Sequence, residues 1–167
     1  TGNGLSQFIS GMILYDETIK QATKDGTPFP EVLKKNGILA GIKVDTGAKA
    51  LPGAAGELVT EGLDGLRERL ADYKKLGATF AKWRAVITVD KDIPSDYCIA
   101  ANAHALARYA ALCQEAGIVP IVEPEVLMDG NHTLERCFSV TENTLHTLFH
   151  ELHKQRVRTE HLVLKAS

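Results

Sequence analysis

Five short apolar, β-branched runs punctuate this chain, and a helical pattern follows each of the first four. They are Phe8–Tyr15 (FISGMILY), Gly37–Val44 (GILAGIKV), Ala78–Val89 (ATFAKWRAVITV), Ile118–Val122 (IVPIV) and Glu160–Lys165 (EHLVLK). Strands that alternate with helices form a parallel sheet with the helices packed outside it. From Lys43 onward the spacing is roughly forty residues, a period that helical repeats also show, but each unit here contains a β-branched run.

The intervening stretches carry their own punctuation. Asp16 and Glu17 open a short helical stretch; Gly26, Pro28 and Pro30 make a turn before a short helix through Lys35. Thr46–Thr60 reads as a Gly-, Ala- and Pro-containing loop, too long for a plain connector and so expected to cover something. Thr60 is the expected cap of a helix to Leu76, with Leu63, Leu66, Leu70 and Tyr73 in one apolar stripe and Gly77 as the stop. Pro94 and Ser95 start a helix to Ala116, stopped by Gly117, and a turn at Asp129–Asn131 starts another through about Gln155. Thr1–Asn3 is an abrupt start with no obvious cap.

This pattern fits an open doubly wound sheet of five strands or part of an eight-stranded barrel, which takes about 250 residues. The sequence stops at the close of a strand, where a finished open sheet usually carries a last covering helix. Residues 1–167 are therefore expected to be a single domain that forms a piece of a larger α/β fold.

Composition narrows the function class. A chain of 167 residues is long enough to bury a sizeable core. The net charge of -2 gives no reason to expect nucleic acid as a partner. No apolar run is long enough to span a bilayer and no signal peptide opens the chain, so no membrane partner is expected. Cys98, Cys113 and Cys137 are odd in number and form no CxxC, which indicates neither a disulfide framework nor a zinc knuckle. All three fall in helical patterns, where buried free thiols and a cytoplasmic location are expected.

The third run carries the main chemical clue. Lys82 and Arg84 lie inside it, and strand alternation puts them on one face with Phe80 and Val86. Two cations on one face of a buried strand cost several kcal/mol each unless negative charge meets them. Either the chain supplies carboxylates or an anion binds there. Four successive strands put charge at or near their C-terminal ends: Lys43, then Lys82 with Arg84, then Glu123 with Glu125, then Lys165. In parallel α/β folds that end holds the active site. Crowded cations favour the neutral amine of a lysine among them, and a neutral amine attacks a carbonyl. Glu123 could shuttle the protons, and surplus cations would hold phosphate. The sum is a Schiff-base enzyme acting on a phosphorylated carbonyl compound. The bland alternative makes Lys43 and Lys165 strand-end lysines reaching water, with Glu123 and Glu125 as plain ion-pair partners of Lys82 and Arg84.

Other candidates carry less. His146, His150 and His153 share a helix face at a spacing that can bind metal, but no acidic residue completes a known motif, so no metal site is expected. His104 reads as a packing or surface residue on an Ala-rich helix. Gly62–Leu66 (GLDGL) follows no strand with a nucleotide-loop pattern. Trp83 and Tyr15 read as packing residues, with Trp83 facing away from Lys82.

Long ordered segments then resemble class I fructose-bisphosphate aldolase: GMILYDET, DGTPFPEVLKKNGILAGIKVDTG, TEGLDGLRERLADYKKLGATFAKWRAV, LARYAALCQEAGIVPIVEPEVLMDGNH and LERCFSVTE. The resemblance implies a (β/α)8 TIM barrel, a homotetramer in the full-length enzyme, and reversible cleavage of fructose 1,6-bisphosphate with neither metal nor cofactor. By resemblance, Lys165 is the Schiff-base lysine, Glu123 the acid/base for the carbinolamine, and Glu125 its charge-positioning neighbour. Lys82 and Arg84 match residues contacting substrate hydroxyls and phosphate, with Lys82 in the catalytic set, and Lys43 matches a further cation lining the substrate site. The family's first strand, with its aspartate, is expected before Thr1. Its last two strands, with the serine, glycines and arginine that hold a phosphate, are expected after Ser167. Ala166 and Ser167 stand where many members have proline and asparagine. A free five-stranded piece is expected to expose sheet edges and to aggregate or be inactive. The alternatives are another Schiff-base barrel lyase, transaldolase-like, or a non-catalytic binding scaffold.

Overall fold

The strand β5 (Ala78–Ile87) sits in the middle of a five-stranded sheet and carries both the deepest core residues and the embedded cations. The computed structural model describes residues 4–166, so the expected start at Thr1–Asn3 and the Ser167 position lie outside the described residues. Ala81, Trp83, Ala85 and Ile87 of β5 are buried, while Phe80, Lys82, Arg84 and Val86 occupy the other face and are partly exposed, as alternation requires. The Trp83 ring lies 5.5 Å from that of Tyr109 on α4 (Asp96–Glu115), within a core that also holds Ile42, Leu70, Leu106 and Leu148.

The sheet order is β1 (Gly11–Leu14), β2 (Leu39–Lys43), β5, β6 (Val119–Val126) and β7 (Val163–Leu164), with every neighbouring pair parallel. Each new strand adds to the same side of the one before. A doubly wound sheet reverses its order at a switch point; this one does not, so the topology is that of a barrel arc. Helices α1 (Asp16–Ile19), α2 (Phe29–Lys35), α3 (Leu66–Lys75), α4 and α5 (Leu134–Lys154) connect the strands. Thr133 and Ser95 cap α5 and α4, accepting from the backbone N–H of Arg136 and Cys98.

The strand bounds differ from the sequence reading in physically simple ways. β1 begins at Gly11 rather than Phe8: Leu5–Gln7 form a single 3-10 turn and Phe8 is 83% exposed. Phe80 lies across the inner face of β1 and β2, so Gly11 and Gly41 must lack side chains. A Cβ at Gly41 would stand 2.2 Å from the Phe80 ring, and one at Gly11 2.7 Å. β6 runs on through Glu123-Pro124-Glu125 instead of stopping at Val122. The Val122 carbonyl accepts from Lys165 N–H, so the even positions of β6 face β7 and its two prolines remove no bond to β5. The last strand shrinks to Val163–Leu164 because Thr159–His161 coil into a 3-10 turn.

Thr46–Thr60 is not a loop. β3 (Gly47–Ala50) and β4 (Leu58–Glu61) form an antiparallel hairpin apart from the main sheet. Asn102 of α4 holds it, accepting from Thr60 N–H at 3.2 Å and donating to the Leu58 carbonyl at 2.9 Å. The Thr60 hydroxyl donates to the Arg84 carbonyl at 2.8 Å, so Thr60 pins the hairpin to β5 and does not cap α3. That helix starts at Leu66 behind a left-handed Gly65, and Leu63 packs on the core from ahead of it. Buried Glu57 accepts from both the backbone N–H and the hydroxyl of Ser95, tying the hairpin to the start of α4. Cys98 and Cys113 are buried free thiols, as expected, but Cys137 is partly exposed.

Candidate active site

Register brings the charged residues together. Lys43 on β2 pairs with Lys82 on β5, and Arg84 on β5 pairs with Glu123 on β6. Side chains opposite one another across a ladder share a face. Lys165 follows β7, whose Val163 stands opposite Ile121, so its side chain emerges on the face that carries Glu123.

Glu123 is the hub. It is 2% exposed, and its two oxygens face two ammonium groups: Lys165 Nζ at 2.5 Å from Oε1 and Lys82 Nζ at 2.9 Å from Oε2. Burial pushes the carboxyl pKa up, but hydrogen bonds from Lys165 and Lys82 outweigh it and hold the group below its ordinary value. Glu123 is therefore an anion at neutral pH. Arg84 donates through Nε and Nη2 to Glu125, a fork on one carboxylate oxygen. Lys43 donates to Asp45 Oδ1 at 2.5 Å and to the Asp45 carbonyl at 3.0 Å.

All six residues singled out in the sequence thus share one face of neighbouring strands, Lys43 at the end of β2, Lys82, Arg84, Glu123 and Glu125 within β5 and β6, and Lys165 just past β7. The expected crowd of unpaired cations does not form. Each lysine and the arginine has a carboxylate within contact. The chain's own carboxylates meet these cations, and four cations against three carboxylates leave one net positive charge. Asp45, just past the end of β2, is a further member that the sequence analysis did not single out. Its signal was the KVD triplet, where alternation returns position 45 to the face of Lys43. Tyr15 is a second correction: it is 65% exposed and its ring lies 6.0 Å from Lys43 Nζ, so it is not a core packing residue.

A cavity of about 980 Å³ opens beside Lys43 and Asp45, bounded further by Tyr15, Arg69, Tyr73 and His104. Arg69 spans its floor, donating to the carbonyls of Val44 at 3.0 Å and of Gly62. The GLDGL glycine Gly62 is there for packing: a Cβ would meet Asp45 Cα at 3.1 Å and the Trp83 ring at 3.2 Å. None of the histidines joins the charged set. His104 Nδ1 is 3.1 Å from Glu151 Oε2 on the surface. His146, His150 and His153 belong to no metal-ligating cluster among the described residues.

Fold and site together define an arc of a parallel α/β barrel with paired lysines at its C-terminal rim. A family model described as "Fructose-bisphosphate aldolase class-I" matches residues 1–167. The chain belongs to the class I fructose-bisphosphate aldolase family. It is 64% identical over 163 residues to a probable class 1 fructose-bisphosphate aldolase of Xanthomonas axonopodis pv. citri, covering 98% of this chain and 49% of that protein. It is 53% identical over 167 residues to a fructose-bisphosphate aldolase of Dictyostelium discoideum, covering 99% of this chain and 47% of the relative. The aldolase of Plasmodium falciparum, solved in complex with TRAP and a small molecule inhibitor, superposes with a TM-score of 0.93 at 46% identity. The match covers 96% of this chain and 47% of that one. That structure is an aldolase TIM barrel. The chain spans about half the length of the curated relatives it matches.

Proposed function

We propose that residues 1–167 supply the Schiff-base lysine and its acid/base partner to a class I fructose-bisphosphate aldolase, within a protein long enough to close the barrel. The observation that carries this reading is Glu123, a buried carboxylate shared by Lys165 and Lys82. Glu123 takes a proton from the Lys165 ammonium, and the freed amine attacks the C2 carbonyl of the ketose. The proton then passes to the carbinolamine hydroxyl, which leaves as water. The protonated imine accepts the electron pair of the C3–C4 bond as a base removes the C4 hydroxyl proton. The products are glyceraldehyde 3-phosphate and an enamine of dihydroxyacetone phosphate bound to Lys165. This electron sink makes a metal or cofactor unnecessary to the reading.

Lys82, 2.9 Å from Glu123 Oε2, restrains that carboxylate as the proton moves. Lys43 and Arg84 meet hydroxyl and phosphate oxygens of the sugar. Glu125 sets the position of Arg84. A homotetrameric whole enzyme in the cytoplasm is part of the same proposal.

Borohydride trapping with dihydroxyacetone phosphate tests it. A covalent adduct is expected on Lys165, lost in Lys165→Met; Lys82→Met is expected to stay folded and turn over more slowly. An adduct retained in Lys165→Met moves the nucleophile to Lys82. No adduct in the unsubstituted protein leaves a binding role only.

A further inference from the structure

Three features of the molecule fall outside the proposed chemistry: the apolar stripe along α5, the lysines at the ends of α2 and α3, and the carboxylate of Asp45. The third carries furthest. Asp45 is 8% exposed and sits one residue past the end of β2. Its Oδ1 accepts from Lys43 Nζ at 2.5 Å and from Gly47 N–H at 3.2 Å. Its Oδ2 accepts from Arg84 N–H at 3.3 Å. One buried carboxylate thus touches three segments: the end of β2, the start of the hairpin and the middle of β5. Its carbonyl oxygen also accepts from Lys43 Nζ, at 3.0 Å.

We propose that Asp45 is a positioning residue that sets the Lys43 ammonium for the phosphorylated substrate; the proposal rests on the aldolase reading of the same site. A lysine side chain has four rotatable bonds, and a solvated ammonium explores many of their combinations. Two acceptors on one residue restrict Lys43 Nζ to a single place above the rim, against Tyr15. The second oxygen of Asp45 ties that place to the backbone of Arg84, the other phosphate-facing cation. The Lys43 ammonium is thereby fixed relative to the β5 backbone that carries Arg84, whose guanidinium Glu125 holds separately. Preorganisation of this kind raises affinity by removing ordering cost from the binding step.

The test is a double-substitution cycle on Asp45→Asn and Lys43→Met in the full-length enzyme, with kcat and KM for fructose 1,6-bisphosphate. Asp45→Asn is expected to raise KM about tenfold with kcat changed less than threefold. Adding it to Lys43→Met is expected to change nothing further, because Asp45 acts through Lys43. Additive losses, or equal losses in kcat, overturn the proposal. Where Asp45→Asn does not fold, Asp45→Glu takes its place in the cycle: it keeps the charge but displaces the oxygens, and the same non-additivity is expected. A readout without turnover separates this from the aldolase reading. Competitive labelling of lysines by acetic anhydride is expected to reach Lys43 faster in Asp45→Asn than in the unsubstituted chain, and equally fast in Glu125→Gln. Unchanged labelling in Asp45→Asn overturns the proposal even if trapping at Lys165 succeeds. Faster labelling without trapping keeps the Asp45–Lys43 clamp and discards the aldolase step.

Discussion

Replacing Glu123 by glutamine removes one charge and leaves the shape of the side chain nearly unchanged. Two ammonium groups, at 2.5 and 2.9 Å from its oxygens, then lose their shared counter-ion. A fully buried pair broken on one side costs about 3–5 kcal/mol. Here the lysine side chains are 20% and 49% exposed, so water screens much of that loss, and about 1–2 kcal/mol is expected. The pH dependence identifies the source. The Glu123 pKa is held below its ordinary value of 4.5 in the folded protein. A depressed carboxylate stabilises the fold fully above its unfolded pKa and loses that contribution as pH falls through the folded one. Urea midpoints of the unsubstituted protein and Glu123→Gln are therefore expected to differ most at pH 7 and to converge below pH 4.5. Turnover is expected to drop by about 10²–10⁴, the range for removing a positioned acid/base, which is about 3–5 kcal/mol of barrier. A stability gap that stays constant down to acid pH refutes the electrostatic account of Glu123. Turnover within tenfold of the unsubstituted enzyme refutes its role as the proton carrier.

Two further outcomes follow from the packing. Gly41→Ala puts a methyl group 2.2 Å from the Phe80 ring and is expected to cost about 1–3 kcal/mol in urea unfolding. Phe80→Ala in the same chain should recover part of that loss, and no recovery would discount the clash. Burial pushes the Cys98 thiol up to about 11 and that of Cys113 further still, whereas Cys137 is partly exposed. One thiol is therefore expected to react quickly with a disulfide reagent in the native state, and mass spectrometry should place it at Cys137; rapid modification of Cys113 would contradict the burial described.

Much of the site was legible in the chain because alternation is a local rule. Lys82 and Arg84 had to share a face of β5 whatever lay beside them, and Trp83 had to face the other way. The helix start at Ser95 and the stop at Gly117 are equally local, whereas the turn at Asp129–Asn131 only approximates the start of α5, which Thr133 caps. Segments of low β-branching were harder. Gly47–Ala50 looks like loop because its strand conformation is held from outside, by Leu58–Glu61 and by Asn102 of α4. Pro124 hid the true end of β6, since whether a proline breaks a strand depends on which neighbour its missing N–H would have faced.

The amino-acid sequence by itself determined the βα alternation, the membership of the two faces of β5 and the set of charged residues near the strand ends. Short-range stereochemistry and hydrophobic periodicity are enough for that. Only the tertiary structure decided that the strands add in chain order rather than reversing, and that Glu123 is divided between Lys165 and Lys82 while Asp45 takes Lys43. Those pairings join residues as many as 42 positions apart. They depend on register across strands, which no local pattern encodes.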